Sequence, residues 1–316
     1  MDLMKKYAAY IVLGLLALLP LLGLSSYVMH ILILVIMWSV IGMAWNLLSG
    51  YCGQVSFGHA AFFGVGAYTA GMLYSKLGIS AWWGFPASIV VVSFFALVIG
   101  YICLRLRGPY FALATLAMGV IFRIVAENLV NVTGGDLGIM LQERTWVDKT
   151  WYFYIILAVA AATYYLVRTV VGSKLGYYFV AIREDQDAAE SLGIDTTKYK
   201  TIALILSAMI TGFAGVFYMN YMGYIDPKVV FALHDISIIT IMVVMVGGVA
   251  TFTGPIVGAV IMVLLAEVIR SLPKLGTAHH TFFGILLIVI IIYLPNGIVG
   301  DFGKIRKLFG AGRSTT

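Results

Sequence analysis

Long apolar runs separated by short polar breaks dominate this chain. Ten runs can be placed, at roughly 7–24, 28–48, 54–74, 83–104, 109–130, 151–170, 201–222, 236–250, 254–271 and 281–297. A helix needs about 20 such residues to cross a bilayer. The runs at 31–41 and 283–294 do not alternate between apolar and polar positions, as the strands of a membrane barrel would. The pattern therefore predicts an all-α, polytopic membrane bundle of about ten spans, forming one transmembrane domain over residues 1–316.

Two of the runs, the third and the eighth, are rich in glycine and are predicted to be broken or re-entrant. Such backbone is tolerated in a membrane only where protein or a water-filled cavity surrounds it. A weak internal similarity links residues 53–58 (GQVSFG) with residues 248–253 (GVATFT). Paired interrupted segments are typical of a repeat-built transporter with its pathway at the repeat interface. The alternative, that glycines simply let membrane helices pack closely, stays open.

One polar segment, residues 174–200, lies between two long apolar runs and holds nine of the 34 charged residues. A short amphipathic helix is predicted inside it. Acidic residues would occupy its first turn, where the helix dipole favours negative charge, and Gly193 would end it. Such a helix offers an apolar ridge to a partner's groove and charged flanks that fix its register. The alternative is an ordinary connecting loop, although most loops are shorter. The apolar candidates are Ala181, Ile182, Ala188, Ala189 and Leu192, and the acidic ones Glu184, Asp185 and Asp187.

Composition and charge support a membrane protein and suggest its orientation. The chain is 62% hydrophobic and 11% charged, whereas soluble domains carry about 25% charged residues. With a cytoplasmic N-terminus, 13 Lys and Arg residues fall on the cytoplasmic side and six on the outer side. This bias predicts that both termini and residues 172–200 are cytoplasmic, and the net charge of +6 reflects topology rather than nucleic-acid binding. No A-x-A-like cleavage site follows the first run, so it is expected to be a retained span.

Several kinds of chemistry have no support in the sequence. Cys52 and Cys103 lack a C-x-x-C spacing and are expected to be small buried apolar residues. No G-x-x-x-x-G-K-[ST] phosphate loop, H-E-x-x-H zinc motif or Cys/His metal cluster occurs. We therefore expect neither an enzyme nor a bound cofactor or metal, and any nucleotide hydrolysis would need a separate subunit.

Polar residues inside the predicted spans are the remaining candidates, since they are costly in a membrane and often functional. Arg123 and Glu127 lie four residues apart, so they can pair on one helix face. They are either a self-neutralising pair in the bundle interior or the lining of a pathway or gate. Four further residues flank the glycine-rich third run, and either line a passage for a zwitterion or form hydrogen bonds between helices: Asn46, Gln54, Ser56 and His59.

Several sequence blocks resemble one known family. Residues 181–195 (AIREDQDAAESLGID) look like the cytoplasmic coupling loop of an ABC-importer permease. Residues 50–68 (GYCGQVSFGHAAFFGVGAY), 107–117 (RGPYFALATLA), 131–135 (NVTGG) and 247–255 (GGVATFTGP) occur in the order found in the branched-chain amino acid permeases of LivM type. The resemblance implies an ATPase-coupling role for Arg183, Glu184, Asp185, Ala188, Ala189, Glu190, Leu192 and Gly193.

The resemblance also implies a set of partners in the bacterial inner membrane. Two cytoplasmic ATP-binding subunits would drive transport, a second related permease would complete the pore, and a periplasmic binding protein would deliver Leu, Ile or Val. The binding protein would supply the selectivity, so no tight substrate site is expected here. The alternatives are a permease for urea, short amides or sugars on the same scaffold, and an ion-coupled secondary transporter. The last would need a titrating carboxylate in a span, for which only Glu127 is eligible.

Overall fold

The computed structural model describes residues 13–142 and 148–271, together with 281, 282, 284, 285, 288, 292–294 and 296–301. These residues form an almost entirely helical bundle. Two π-helical turns, Asn46–Tyr51 and Leu233–Ile238, interrupt it, and two short strands, β1 Ile139–Met140 and β2 Tyr224–Ile225, pair antiparallel. The helices in chain order are α1 Leu13–Leu22, α2 Ser26–Trp45, α3 His59–Leu77, α4 Gly84–Cys103, α5 Pro109–Asn128, α6 Val130–Thr133, α7 Lys149–Val171, α8 Lys174–Glu184, α9 Gln186–Ser191, α10 Thr196–Met222, α11 Pro227–Val230, α12 Ile239–Gly247, α13 Gly254–Ser271 and α14 Gly297–Gly300.

Seven of the described helical segments are long and apolar enough to cross a membrane. The chain is therefore a multi-pass membrane protein, as the sequence predicts. The expected number of about ten spans is not confirmed, because the first and tenth predicted runs lie partly outside the described residues. The seven segments are Ser26–Tyr51, Ala81–Cys103, Pro109–Asn128, Lys149–Val171, Thr196–Met222, Pro227–Gly247 and Gly254–Ser271.

The third predicted span, α3, begins at His59 rather than at residue 54, because residues 52–58 form no helix. It is 19 residues long, but it is not one of the seven segments identified as long and apolar enough to cross a membrane. Its first 13 residues, His59–Gly71, are all buried in the protein. A Cβ on Gly66 would lie 2.2 Å from the Gly212 carbonyl oxygen, so α3 and α10 approach at glycines. The polar residues His59 and Thr69 in this part of α3 are therefore covered by other helices, whereas Ser75 and Lys76 near its C-terminal end are exposed.

The eighth predicted span, 236–250, belongs to a longer segment that starts with α11 and ends with α12 at Gly247. The segment is not helical at Phe231 and Ala232, which precede the predicted run and hold no glycine, and it continues through the second π-turn into α12. Residues 248–253 then form a loop before α13. The two helices lie so close that a Cβ on Gly258 would fall 1.8 Å from the Val243 carbonyl oxygen. This loop and residues 52–58 are the irregular segments beside the two glycine-rich runs.

Contacts between loops define the two ends of the bundle. At one end, here named the island end, Arg107 contacts Asp187, and Arg183 contacts the backbone of Gly50. At the other, the strand end, β1 pairs with β2 and Lys228 lies 3.3 Å from Asp136. The polar segment 174–200 therefore shares one end with residues 104–108 and with the end of the first π-turn. This arrangement agrees with the alternating crossings that the apolar runs predict.

Candidate functional site

The polar segment contains two complete helices, α8 and α9, instead of the single short helix that the sequence predicts within 174–200. The chain becomes extended at Asp185, where φ is −157°, so Arg183 and Glu184 belong to the last turn of α8. The Asp185 carboxylate accepts hydrogen bonds from the backbone N–H groups of Asp187 at 2.9 Å and Ala188 at 3.0 Å. An aspartate that caps a new helix in this way stabilises the break, since it satisfies amides that have no helical partner. Asp185 therefore begins α9.

Gly193 ends α9, as the sequence predicts, through a left-handed turn. Its φ is +82°, and its N–H donates to the Glu190 carbonyl at 2.9 Å. The Ile194 N–H donates to the Ala189 carbonyl at 3.1 Å. These two bonds form a Schellman motif, in which glycine adopts the left-handed conformation without the steric cost that a Cβ brings. Helix α9 is thus defined at both ends by its own sequence.

One face of α9 is anchored to α10 and to the rest of the bundle. Ala189 is buried, and the Glu190 carboxylate accepts hydrogen bonds from the Thr196 hydroxyl at 2.5 Å and the Gln186 side-chain amide at 2.9 Å. The Thr196 bond, followed by the Gln186 bond, lowers the pKa of Glu190 below its ordinary value. Lys200 in turn donates to the Gln186 amide oxygen. Glu190, predicted as a docking residue, therefore holds α9 in place within this chain.

Arg107 joins the same cluster from the loop between α4 and α5. Its guanidinium lies 2.6 Å from Asp187 and 3.6 Å from Glu190. Exposed ion pairs of this kind contribute only about 0–1 kcal/mol each, so the contact orients α9 more than it stabilises the fold. Sequence reasoning did not select Arg107 as a candidate. The sequence signal that could have identified it is its position as the first residue of 107–117, one of the blocks that resemble the permease family.

Leu192 is the most prominent apolar residue on the surface of α9. Its side chain is 81% exposed at the C-terminal cap, immediately before Gly193. Ala188 is exposed beside it, whereas Ala189 and Ile182 of the expected apolar ridge are buried. The ridge offered to solvent is thus narrower than predicted. We name the surface formed by Ala188, Leu192 and Gly193 the α9 tip. A shallow depression adjoins it, lined by Glu190, Gly193, Ile194, Asp195, Thr196 and Thr197.

Arg183 lies against the bundle instead of reaching into solvent. Its Nη1 donates to the Gly50 carbonyl at 3.2 Å, and its Nη2 lies 2.6 Å from Glu184. A Cβ on Gly53 would fall 2.8 Å from the Arg183 Cγ, so only glycine fits beneath this side chain. Arg183 therefore connects the end of α8 to Gly50 and Gly53, which lie on either side of the point where the first π-turn ends.

Asn46 connects two segments that are far apart in sequence. Its side-chain amide donates to the Thr251 carbonyl at 2.8 Å, and its Oδ1 accepts from the Ala250 N–H at 2.8 Å. The rings of Tyr51 and Phe252 lie 5.7 Å apart next to this pair. The first π-turn, Asn46–Tyr51, and the loop 248–253 are therefore neighbours at the island end. A role of Asn46 in the transport pathway stays a prediction.

The other three candidates around α3 lie in a buried hydrogen-bond network. The Gln54 carbonyl accepts from the Ser49 hydroxyl at 2.9 Å, and the Ser56 hydroxyl accepts from the Gly58 N–H at 3.1 Å. His59 is fully buried, with Nε2 2.9 Å from the Ser207 hydroxyl. In this conformation the network favours hydrogen bonding between segments over the lining of an open passage. The pathway role of Gln54, Ser56 and His59 stays untested.

Arg123 and Glu127 form the predicted pair on α5, with Nε and Oε1 3.6 Å apart. The pair does not lie in the bundle interior, because the two side chains are 41% and 24% exposed. Glu127 is one residue from the end of α5, near the strand end. Charges at that depth can reach the membrane interface. Among the residues that the structure describes, no group of three or more His, Cys, Asp or Glu could hold a metal ion.

Comparisons with known proteins give consistent findings. A family described as "Branched-chain amino acid transport system / permease component" matches residues 27–292. The chain is similar to the high-affinity branched-chain amino acid transport system permease protein LivM of Salmonella typhimurium, with 27% identity over 82% of this chain and 67% of that protein. It is also similar to LivH, a permease protein of the same system in Escherichia coli K12, with 24% identity over 83% and 91%. A shorter match, 26% identical over 53% of this chain and 52% of the relative, is to the L-arabinose ABC transporter permease protein AraH of Azospirillum brasilense.

Proposed function

We propose a function from one premise: the chain belongs to the branched-chain amino acid transport permease family. On our proposal it is the membrane-spanning permease of a binding-protein-dependent ABC importer. It would move leucine, isoleucine or valine across the bacterial inner membrane, using ATP hydrolysed by a separate subunit. Seven apolar spans and permease relatives that match more than four fifths of the chain support a transport role.

The observation that carries the proposal is the α9 tip. A short helix is capped by Asp185 at its start and by the Gly193 turn at its end, and it is braced by Arg107 and Glu190. It nevertheless leaves Leu192 exposed to water. An apolar residue at a rigid, well-positioned site is what a partner's groove requires, since little ordering entropy is lost on binding. We propose that this tip docks into a cytoplasmic ATP-binding subunit, two of which would serve a pair of permeases.

The orientation follows from charge. The sequence-based assignment puts 13 Lys and Arg residues on the side of the polar segment and six on the opposite side, which favours a cytoplasmic island end. The strand end, with its β1–β2 pair, would then face a periplasmic binding protein. On this proposal both termini are cytoplasmic.

The choice of branched-chain amino acids rests on the names of the relatives, and the shorter match to an arabinose permease keeps sugars as the second candidate. An ion-coupled carrier has less support, because Glu127 is paired with Arg123 instead of standing alone.

Purification of the chain from its native membrane tests the class and the substrate together. We expect an ATP-binding subunit, a second permease and a binding protein to copurify, and the bound ligand of that protein to be leucine, isoleucine or valine. A sugar or an amide as that ligand would overturn the substrate. Substrate uptake that an ion gradient drives without any ATP-binding subunit would overturn the class.

A further inference from the structure

We propose that Asn46 and Arg183 are positioning residues of the transport cycle, which together connect the polar segment to the loop 248–253. Arg183 contacts the C-terminal end of the first π-turn, Asn46–Tyr51. Asn46, at the N-terminal end of the turn, forms hydrogen bonds with the loop. Movement of α8 and α9 would then be transmitted to α12 and α13 through the π-turn that directly follows α2. This inference rests on the proposed function, since it assumes that a partner moves α9.

The first link joins α8 to the π-turn. The Arg183 guanidinium donates to the Gly50 carbonyl, and its side-chain carbons pack where a Cβ on Gly53 would stand. Arg183 thus contacts the residues on both sides of Tyr51 and Cys52. A shift of α8 that kept these contacts would displace the end of the π-turn with it.

The second link joins the π-turn to the loop 248–253. Asn46 exchanges two hydrogen bonds with the loop backbone, at Ala250 and Thr251. Ala250 has φ +56°, which is unusual for a residue with a Cβ, and such a conformation persists only where the surroundings hold it. The Asn46 side chain helps to stabilise this conformation, because its Oδ1 accepts a hydrogen bond from the N–H of Ala250.

The fit between the two segments depends on Gly50. A Cβ there would lie 2.1 Å from the Asn46 Oδ1 and 2.9 Å from the Ala250 nitrogen. Gly50 therefore lets the loop and the Asn46 amide approach the turn at the same point where Arg183 holds its carbonyl. The three contacts meet on one short piece of backbone.

The π-turn is suited to act as the element that changes between two states. Its hydrogen bonds skip one residue more than those of an α-helix, and such turns are rare and concentrated at functional sites. A change of register by one residue would rotate Asn46 away from the loop and release Ala250. Coupling between sites requires a two-state element of this kind, in addition to mere proximity.

Thiol labelling of Cys52 tests the second link directly. Cys52 follows the π-turn and is fully buried, and Cys103 on α4 is equally buried and serves as an internal reference. The assembled transporter in lipid is treated with N-ethylmaleimide, and the peptides that contain each cysteine are quantified by mass spectrometry. We expect Asn46→Ala to raise the rate at Cys52 roughly 30-fold, which corresponds to the loss of two hydrogen bonds of ordinary net strength. Cys103 should not change.

Two variants control this measurement. Asn46→Asp is nearly isosteric and puts an oxygen against the Thr251 carbonyl, so it should also raise labelling and remains informative if the alanine variant does not fold. Asn220→Ala removes another buried amide, one that contacts Ala81 and Val216 and not the loop, and should leave Cys52 at the wild-type rate. Cys52 rates within twofold of wild type in both Asn46 variants, or an equal rise at Cys103, would overturn the second link.

The first link is tested by adding ATP. We expect ATP to change Cys52 labelling in the wild-type complex and to lose this effect in Arg183→Ala. ATP should still change Cys52 labelling in the control variant Arg105→Ala, since Arg105 lies at the same end but packs on Tyr101. An ATP response in Arg183→Ala equal to wild type would overturn the proposal. If the wild-type complex shows no ATP-driven uptake, the proposed function fails, while the labelling of Cys52 in the Asn46 variants still decides the second link separately.

Discussion

Substitution of Leu192 by alanine is expected to weaken association with the ATP-binding subunit by about 30-fold. The side chain is 81% exposed in this chain, so nearly all of its apolar surface is available to a partner. Burial contributes about 0.8 kcal/mol for each carbon removed from water. The change removes three carbons, which gives about 2 kcal/mol once the exposed fraction is applied. Since 1.4 kcal/mol is tenfold in affinity, about 30-fold follows.

The assay titrates the purified permease in lipid nanodiscs with the ATP-binding subunit and measures the dissociation constant. Folding of the permease should not change, because an exposed residue that contacts few neighbours contributes little to stability. Leu137→Ala is the matched control, since Leu137 is 85% exposed and lies at the strand end. It should leave the dissociation constant at its wild-type value.

Two results would refute this reasoning. If Leu192→Ala binds the subunit as tightly as wild type, the tip is not a docking surface. If Leu137→Ala weakens binding to the same extent, loss of affinity reports general damage and not a contact at the α9 tip.

Three further predictions concern the packing, the pH response and the division of labour. Gly215→Ala puts a Cβ 2.0 Å from the Phe63 carbonyl oxygen, so it should abolish a monodisperse peak in size-exclusion chromatography, whereas Gly119→Ala, with nothing within 4 Å, should not. The lowered pKa of Glu190 means that its bonds stabilise α9 fully above its ordinary value of 4.5, and that this stability is lost as pH falls below it. Hydrogen exchange of α9, corrected for intrinsic rates, should show that loss in wild type and not in Glu190→Gln. Calorimetry of the purified chain with leucine should detect no binding; micromolar affinity would contradict the assignment of selectivity to a separate binding protein.

Local sequence signals predict the end of α9 but not its start. A glycine after the last apolar residue is the ordinary stop of a helix, and Gly193 acts in this way. Asp185 is expected in the first turn of a single helix, whereas it separates two helices and caps the second. The glycine-rich runs predict the interruptions at 52–58 and 248–253 for a similar reason, because the cause lies in the residues of the run itself.

Features that depend on distant partners could not be predicted in this way. Asn46 and Thr251 are separated by 205 positions, so no local pattern indicates that their side chain and backbone meet. The first π-turn, which begins at Asn46, has no sequence signature of its own. The family resemblance implies a docking role for Glu190 and Arg183, but in the structure both make contacts within the chain, through Thr196 and Gly50.

Uptake of labelled leucine into proteoliposomes tests the central claim most directly. The vesicles contain this permease with its copurified partners, and the binding protein is supplied on the side of the strand end. We expect accumulation only when ATP is present on the side of the α9 tip, and we expect it to be unchanged when proton and sodium gradients are dissipated. Accumulation by this chain alone, driven by an ion gradient without ATP, would contradict the account.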